Sequence, residues 1–208
     1  MDMSEYIKSI ETTWDEYHEF AVWLVNEMKP KVTVDIGVFH GFSTFSFALP
    51  RLGMVYAIDN FKIGGSFKKF VEHGEKLGVS NVHVMPMDFQ EVEWKQRIDI
   101  LHLDGDHSIE ATRREFDKFS LYVNGGCILL HDVVNPAFEG PLQVFQKEIK
   151  NYYGILFEKN NGLGVLTKDI DLAGKICKEF NKNIVKTIDY KIKGNEIKVS
   201  ISELKLNW

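Results

Sequence analysis

Acidic residues recur just after short apolar runs in this sequence: Asp35 in VTVDIG, Asp59 in MVYAID, Asp88 in VMPMD, Asp104 in ILHLDGD and Asp132 in CILLHDVV. Histidines stand close by two of the motifs: His107 directly after Asp106 of LDGDH, and His131 directly before Asp132. Carboxylates accept hydrogen bonds from hydroxyl and amino groups or hold cations, and an imidazole with a pKa near ~6.5 moves protons at neutral pH. The pattern suits recognition of hydroxyl-rich ligands together with proton removal, either by a base or at a metal. Asp35-x-Gly37-x-x-x-Gly41 adds a turn in which glycines let the backbone approach a ligand, ahead of a helix with unpaired N–H groups. By itself such a turn is weak evidence, because tight strand-to-helix turns are common. Its spacing differs from the G-x-G-x-x-G fingerprint of dinucleotide sites. Phe39 and His40 crowd the position where a diphosphate requires glycine, so a cofactor without phosphates fits better.

These residues need elements to position them. VTVDIG, MVYAID, NVHVMPMD, IDILHLDGD and CILLHDVV read as five strands, most of them continuously apolar and so buried on both faces. Helical spacing lies between them, in GFSTFSFAL, in GSFKKFVEHGEKLG closing on Gly78, and from Ser108 to Tyr122. A leading helix is expected over residues 12–29, capped by Thr12 or Thr13 and ended by Pro30, and a later one from Phe138 to Ile149. YYGILFEKN and GLGVLTKD form a closing hairpin with an antiparallel last strand. The expected fold is α/β and Rossmann-like: a mostly parallel seven-stranded sheet with helices on both faces. Residues 1–168 form the main domain and residues 169–208 an extension of one helix and a hairpin turning at Gly194-Asn195. In doubly wound sheets ligands bind where the C-terminal strand tips meet. There Asp59 reaches ribose hydroxyls, while Asp88 and Phe89 pair and stack an adenine.

Composition narrows the partners. A net charge of -5 over 208 residues gives no general attraction to a phosphate backbone, so nucleic acid is not expected as a partner. No apolar run reaches the ~20 residues that span a bilayer, and the first residues form no signal peptide. The reading is a cytoplasmic protein with a small-molecule substrate, no membrane partner and self-association left open. Cys127 and Cys177 are expected to be reduced. Residues 168–208 carry nine lysines against six acids, a lysine-rich face expected to be solvated or to meet an acidic partner.

VDIGVFHGFSTFSFA, VYAIDNF and LHLDGDHSIEATRREFDKFSLYVNGGCILLHDV resemble the class I S-adenosylmethionine-dependent methyltransferases. The similarity is greatest to the bacterial branch with a DGDHSYE-type motif, which includes cephalosporin hydroxylase-like and sugar O-methyltransferase-like members. It spans roughly residues 30–167. The resemblance implies S-adenosylmethionine as cofactor. Asp35, Gly37 and Gly41 would then line its methionine end with His40 and Ser43 alongside. Asp59 would hold the ribose and Asp88 the adenine, with Phe89 and Asp104 completing the site. It implies O-methylation of a small hydroxylated molecule or sugar.

Two mechanisms use the strand-four and strand-five residues. Metal-dependent relatives of this pattern hold a divalent cation on acids, here Asp104 and Asp132 with His131 where an acid is usual; magnesium or manganese would lower the pKa of a bound hydroxyl. Without metal, His107 or His131 is the base and Asp132 or Asp106 orients it. Asp106 competes for another role, capping the following helix. Arg113 and Arg114 read as a solvated face, and His18, His73, His83 and His102 as packing or surface residues. Phe39, Phe42 and Phe61 lie near the expected crevice. Two other classes stay open: a non-catalytic cofactor-binding module, and a nicotinamide-dependent oxidoreductase, against which the missing G-x-G-x-x-G and Tyr-x-x-x-Lys weigh.

Overall fold

The computed structural model describes residues 2–193 and 196–204; the turn expected at Gly194-Asn195 lies outside the described residues. The chain divides into two compact units, residues 1–105 and 106–208.

The first unit opens with a short helix, α1 (Met3–Lys8), and a 3₁₀ turn at Asp15–Tyr17. Then come α2 (His18–Met28), β1 (Val32–Ile36), α3 (Phe42–Ala48), β2 (Met54–Ile58), α4 (Ser66–Leu77), β3 (Val82–Met85) and β4 (Ile98–Leu103). Its strands run in the order β3-β2-β1-β4, and every pairing is parallel. The helix expected from Thr12 begins only at His18. Thr12 Oγ1 accepts from the Trp14 N–H at 2.9 Å, and this local turn competes with helix at that point. Lys29 then ends α2 in the left-handed region, as Gly78 ends α4.

Phe20, Ala21, Leu24 and Val25 put one face of α2 into the core, and Trp14 packs edge-on to Phe42, Phe47 and His102. Burying a Leu or Phe side chain of this kind contributes about 1.5–3 kcal/mol. All seven residues of α3 are buried, among them Ser43, Thr44 and Ser46, so their hydroxyls must find partners inside the protein.

The second unit holds α5 (Ile109–Ser120), β5 (Val123–His131), α6 (Gly140–Glu148), β6 (Tyr153–Phe157), β7 (Leu163–Thr167), α7 (Ile170–Phe180), β8 (Ile184–Lys193) and β9 (Glu196–Leu204). The order is β5-β7-β6-β8-β9, with β7 antiparallel to both β5 and β6. β5 begins at Val123, earlier than expected, and ends at His131, because Asp132 turns into the left-handed region at φ 59°. The closing hairpin is present as expected. The tail hairpin, expected as part of a separate extension to a seven-stranded sheet, joins the sheet: β8 pairs with β6 at Gly154↔Val185 and Ile155↔Ile184. Cys127 and Cys177 are free thiols, both buried.

Candidate functional site

The turn after β1 depends on Gly37. Its φ is +82°, and a Cβ there would lie 2.0 Å from the Asp104 carbonyl oxygen, so only glycine lets β1 and the end of β4 approach this closely. Gly37 N–H donates to Ile58 O at 3.0 Å, and Gly41, at φ +94°, caps α3. Between them Phe39 has φ 49°, a costly conformation for a side chain of that size. Asp59 at the tip of β2 holds it there. One carboxylate oxygen accepts from Val38 N at 2.8 Å and Phe39 N at 2.9 Å, and the other from Phe61 N at 2.6 Å. Three of roughly four lone-pair positions are thereby used, leaving capacity for one further donor.

Beside Asp59, a hollow of about 460 Å³ is lined by Asn60, Lys62, Met87, Asp88, Gln90 and Glu91. Asp88 Oδ1 accepts from Gln90 N at 2.9 Å and starts a 3₁₀ turn at Phe89–Glu91. Phe89 is half-buried and is not one of the lining residues, where Met87 supplies the apolar side chain. The volume lies within the range of small-ligand pockets, and a carboxylate with an amide suits amino and hydroxyl donors.

Asp35 is placed differently from the expectation. Its carboxylate is fully buried and accepts from Ser43 Oγ at 2.8 Å and Thr44 Oγ1 at 2.5 Å, with His102 Nδ1 at 2.6 Å from the other oxygen. Asp35 and Ser43 therefore satisfy each other beneath the turn and do not open toward a ligand. His40 stacks on Phe39 with ring centroids 3.5 Å apart, and its Nδ1 is buried without a hydrogen-bond partner among the described residues, 3.7 Å from Glu11 Oε2. Burial, helped by nearby Lys69, lowers the His40 pKa from its ordinary value. Asp104, half-buried at the end of β4, donates its N–H to Ile36 O at 2.9 Å.

In the second unit the loop leading into α5 meets the tip of β5. His107 Nε2 lies 2.9 Å from Asp132 Oδ2; the histidine side chain is 20% exposed and the aspartate 6%. Asn135 Nδ2 donates to the other oxygen of Asp132 at 2.9 Å. The His107 ring stacks on Phe138 with centroids 4.3 Å apart, and the His107 carbonyl accepts from Gly140 N. His131 is the inaccessible histidine of the two. Its side chain is fully buried, its Nε2 is 3.2 Å from Asn160 O and its Nδ1 3.7 Å from Asp132 Oδ2. The imidazole that pairs closely with Asp132 is thus His107.

Ser108, not Asp106, caps α5 by accepting from Ala111 N. Asp106 instead accepts from Ser108 N at 2.8 Å, which with the Ser108 side chain lowers its pKa. Arg113 is no solvated bystander. It spans α5 to α6 through Glu148 at 2.6 Å and also pairs with Asp117, contacts that raise its pKa above the ordinary value. Phe138, Asn135 and Met87 drew no attention as site residues in the sequence; only the Asn-Pro turn signal near Asn135 hinted at an ordered loop there.

Residues 34–133 match a protein family described as "Methyltransferase domain". Solved structures with similar folds include an O-methyltransferase from Bacillus cereus in complex with SAH (15% identity, TM-score 0.57, covering 74% of this chain and 81% of that one). An O-methyltransferase from Streptomyces achromogenes involved in tomaymycin synthesis, in complex with SAM, is similar at 12% identity and TM-score 0.57, with 74% and 81% covered. An rRNA methylase from Streptococcus thermophilus is similar at 17% identity and TM-score 0.55, with 76% and 98% covered. Residues 34–133 are thus similar to a methyltransferase domain, and the fold is the Rossmann-like one of these solved methyltransferases.

Proposed function

We propose that the protein transfers the methyl group of S-adenosylmethionine to a hydroxyl of a small molecule. The observation that carries this reading is the His107–Asp132 pair: an imidazole 2.9 Å from a carboxylate that is itself held by Asn135. Methyl transfer from a sulfonium is a displacement that needs alignment and an acceptor relieved of its proton. With Nε2–H directed at Asp132, Nδ1 is the nitrogen that takes the hydroxyl proton, and Asp132 stabilises the imidazolium that results. The acceptor oxygen would take the methyl group that the cofactor supplies, and His107 would hold the proton that the oxygen gives up.

Bound S-adenosylmethionine supplies the electrophilic carbon. Asp59 would accept from a ribose hydroxyl with its remaining lone pair, and Asp88 would accept from the adenine amino group in the hollow beside Met87. Gly37 and Gly41 shape the backbone that meets the methionine end, while Asp35 and Ser43 act from beneath it. Carboxylates here repel phosphates and tolerate a sulfonium, which favours this cofactor over a nicotinamide dinucleotide. The divalent cation, magnesium or manganese, expected on Asp104, His131 and Asp132 is retained as a proposal at Asp132, beside His107 and not His131, since burial and the Asn160 contact occupy His131.

The test is methyl transfer to a panel of phenols, catechols and sugars, read by mass spectrometry with and without added magnesium or manganese. His107→Ala is expected to bind S-adenosylhomocysteine like the parent while losing about 10²- to 10⁴-fold in turnover, the usual worth of a general base. Parent-like turnover in that variant would remove His107 from the mechanism.

A further inference from the structure

His102 was expected to be a packing or surface residue, yet it belongs to a polar cluster with unusual demands. It faces Asp35 across the parallel β1–β4 pair, and both side chains are 0% exposed. With His102 Nδ1 at 2.6 Å, Ser43 Oγ at 2.8 Å and Thr44 Oγ1 at 2.5 Å, three donors converge on one carboxylate out of reach of solvent. Opposite a carboxylate oxygen, Nδ1 carries the proton. The other ring nitrogen, Nε2, is buried without a hydrogen-bond partner among the described residues, next to the rings of Trp14 and Phe47.

As a packing residue this histidine is a poor choice. An unsatisfied buried nitrogen is unfavourable, and a leucine or phenylalanine would fill the space without it; well-packed apolar residues often replace buried ion pairs at no loss of stability. The arrangement makes sense through what Asp35 touches. Ser43 and Thr44 lie in the first turn of α3, directly after the Gly37–Gly41 turn whose strained Phe39 is held from its other side by Asp59.

We infer that His102 is a positioning residue for the cofactor: by donating to Asp35 it fixes the first turn of α3, and hence the glycine turn that meets S-adenosylmethionine. The inference rests on the proposed cofactor and assigns a function to a side chain that touches neither cofactor nor acceptor.

The experiment compares His102→Asn with His102→Leu in the full chain. The Asn amide nitrogen stands close to the position of Nδ1 and can keep the bond to Asp35; Leu cannot. S-adenosylhomocysteine affinity is measured by calorimetry, alongside thermal melting and an NMR titration of His107. His102→Asn should bind within about threefold of the parent and His102→Leu about tenfold or more weaker, the worth of a hydrogen bond to a charged group. The His107 titration should be the same in both. Should His102→Leu fail to fold, Thr44→Val removes another donor from the same carboxylate with little change of shape, and should weaken binding by a similar factor. Parent-like affinity in His102→Leu, or in Thr44→Val, overturns the inference, as does His102→Asn binding no better than His102→Leu. A parent chain that binds no S-adenosylhomocysteine overturns the cofactor reading and this inference together, a result separable from all of these.

Discussion

A single carboxylate can serve both the protein and its ligand, and Asp59 is the case in point. It accepts three backbone N–H bonds from two loops whose phenylalanines, Phe39 and Phe61, both sit at positive φ. Asp59→Asn would turn an amide NH₂ toward at least one of those donors while changing little in size. Cofactor affinity should fall by about 1.5–3 kcal/mol, as for other hydrogen bonds to charged groups. The loss should come with faster amide exchange at Val38 and Phe39, which separates loop release from a lost ribose contact alone. Calorimetry and hydrogen exchange on the same variant check both parts. The acid was legible in the sequence because a strand tip followed by a loop marks it. Its grip on the glycine turn was not, since that depends on where two chain segments 21 residues apart come to lie.

At the scale of elements, α1, α2 and α4 share a set of buried imidazoles. His18 bridges Ser46 in α3 and Ser4 in α1, at 2.9 and 2.8 Å, while His73 in α4 meets Tyr6 in α1 at 2.7 Å. Burial lowers the pKa of His18, and also that of His73 and of His40 in the glycine turn. The unfolded chain takes up these protons near pH ~6.5, above the folded values, so the unfolded state binds more protons as pH falls through that region. Stability should decline as pH drops below about 6.5 and level off only below the folded pKa values. Thermal melting from pH 8 to pH 5, roughly the range over which histidine charge changes, would show it, and His18→Gln should flatten the slope. A rise in melting temperature on acidification would contradict the assignment. The sequence showed these histidines but no neighbourhood for them, because their partners are serines and a tyrosine brought from other elements.

At the scale of the whole molecule the tail behaves as sheet. Ile184, Val185 and Ile188 of β8 are buried, Gln146 of α6 donates to Ile188 O at 2.8 Å, and β8 pairs with β6. Deleting residues 182–208 should therefore lower the melting temperature and promote aggregation through the uncovered edge of β6. Each buried isoleucine removed costs about 2–5 kcal/mol in comparable cores. Deletion from residue 170 should be worse, since Leu172, Ala173 and Ile176 of α7 are buried too. Soluble yield and melting curves of the two truncations decide this, and a stable, monodisperse 1–181 fragment would show the tail to be dispensable.

The sequence by itself determined the alternation of strands and helices, the acids at the strand tips and the resemblance to methyltransferases that they carry. Those signals are local: apolar runs, glycines and a motif read along the chain. Only the tertiary structure decided that Asp35 turns inward to His102, that His107 lies closer to Asp132 than His131 does, and that the tail adds strands to β6. Each of those outcomes depends on which of several chemically equivalent partners is within about 3 Å, the reach of a hydrogen bond. Spacing along the chain carries no information about that distance.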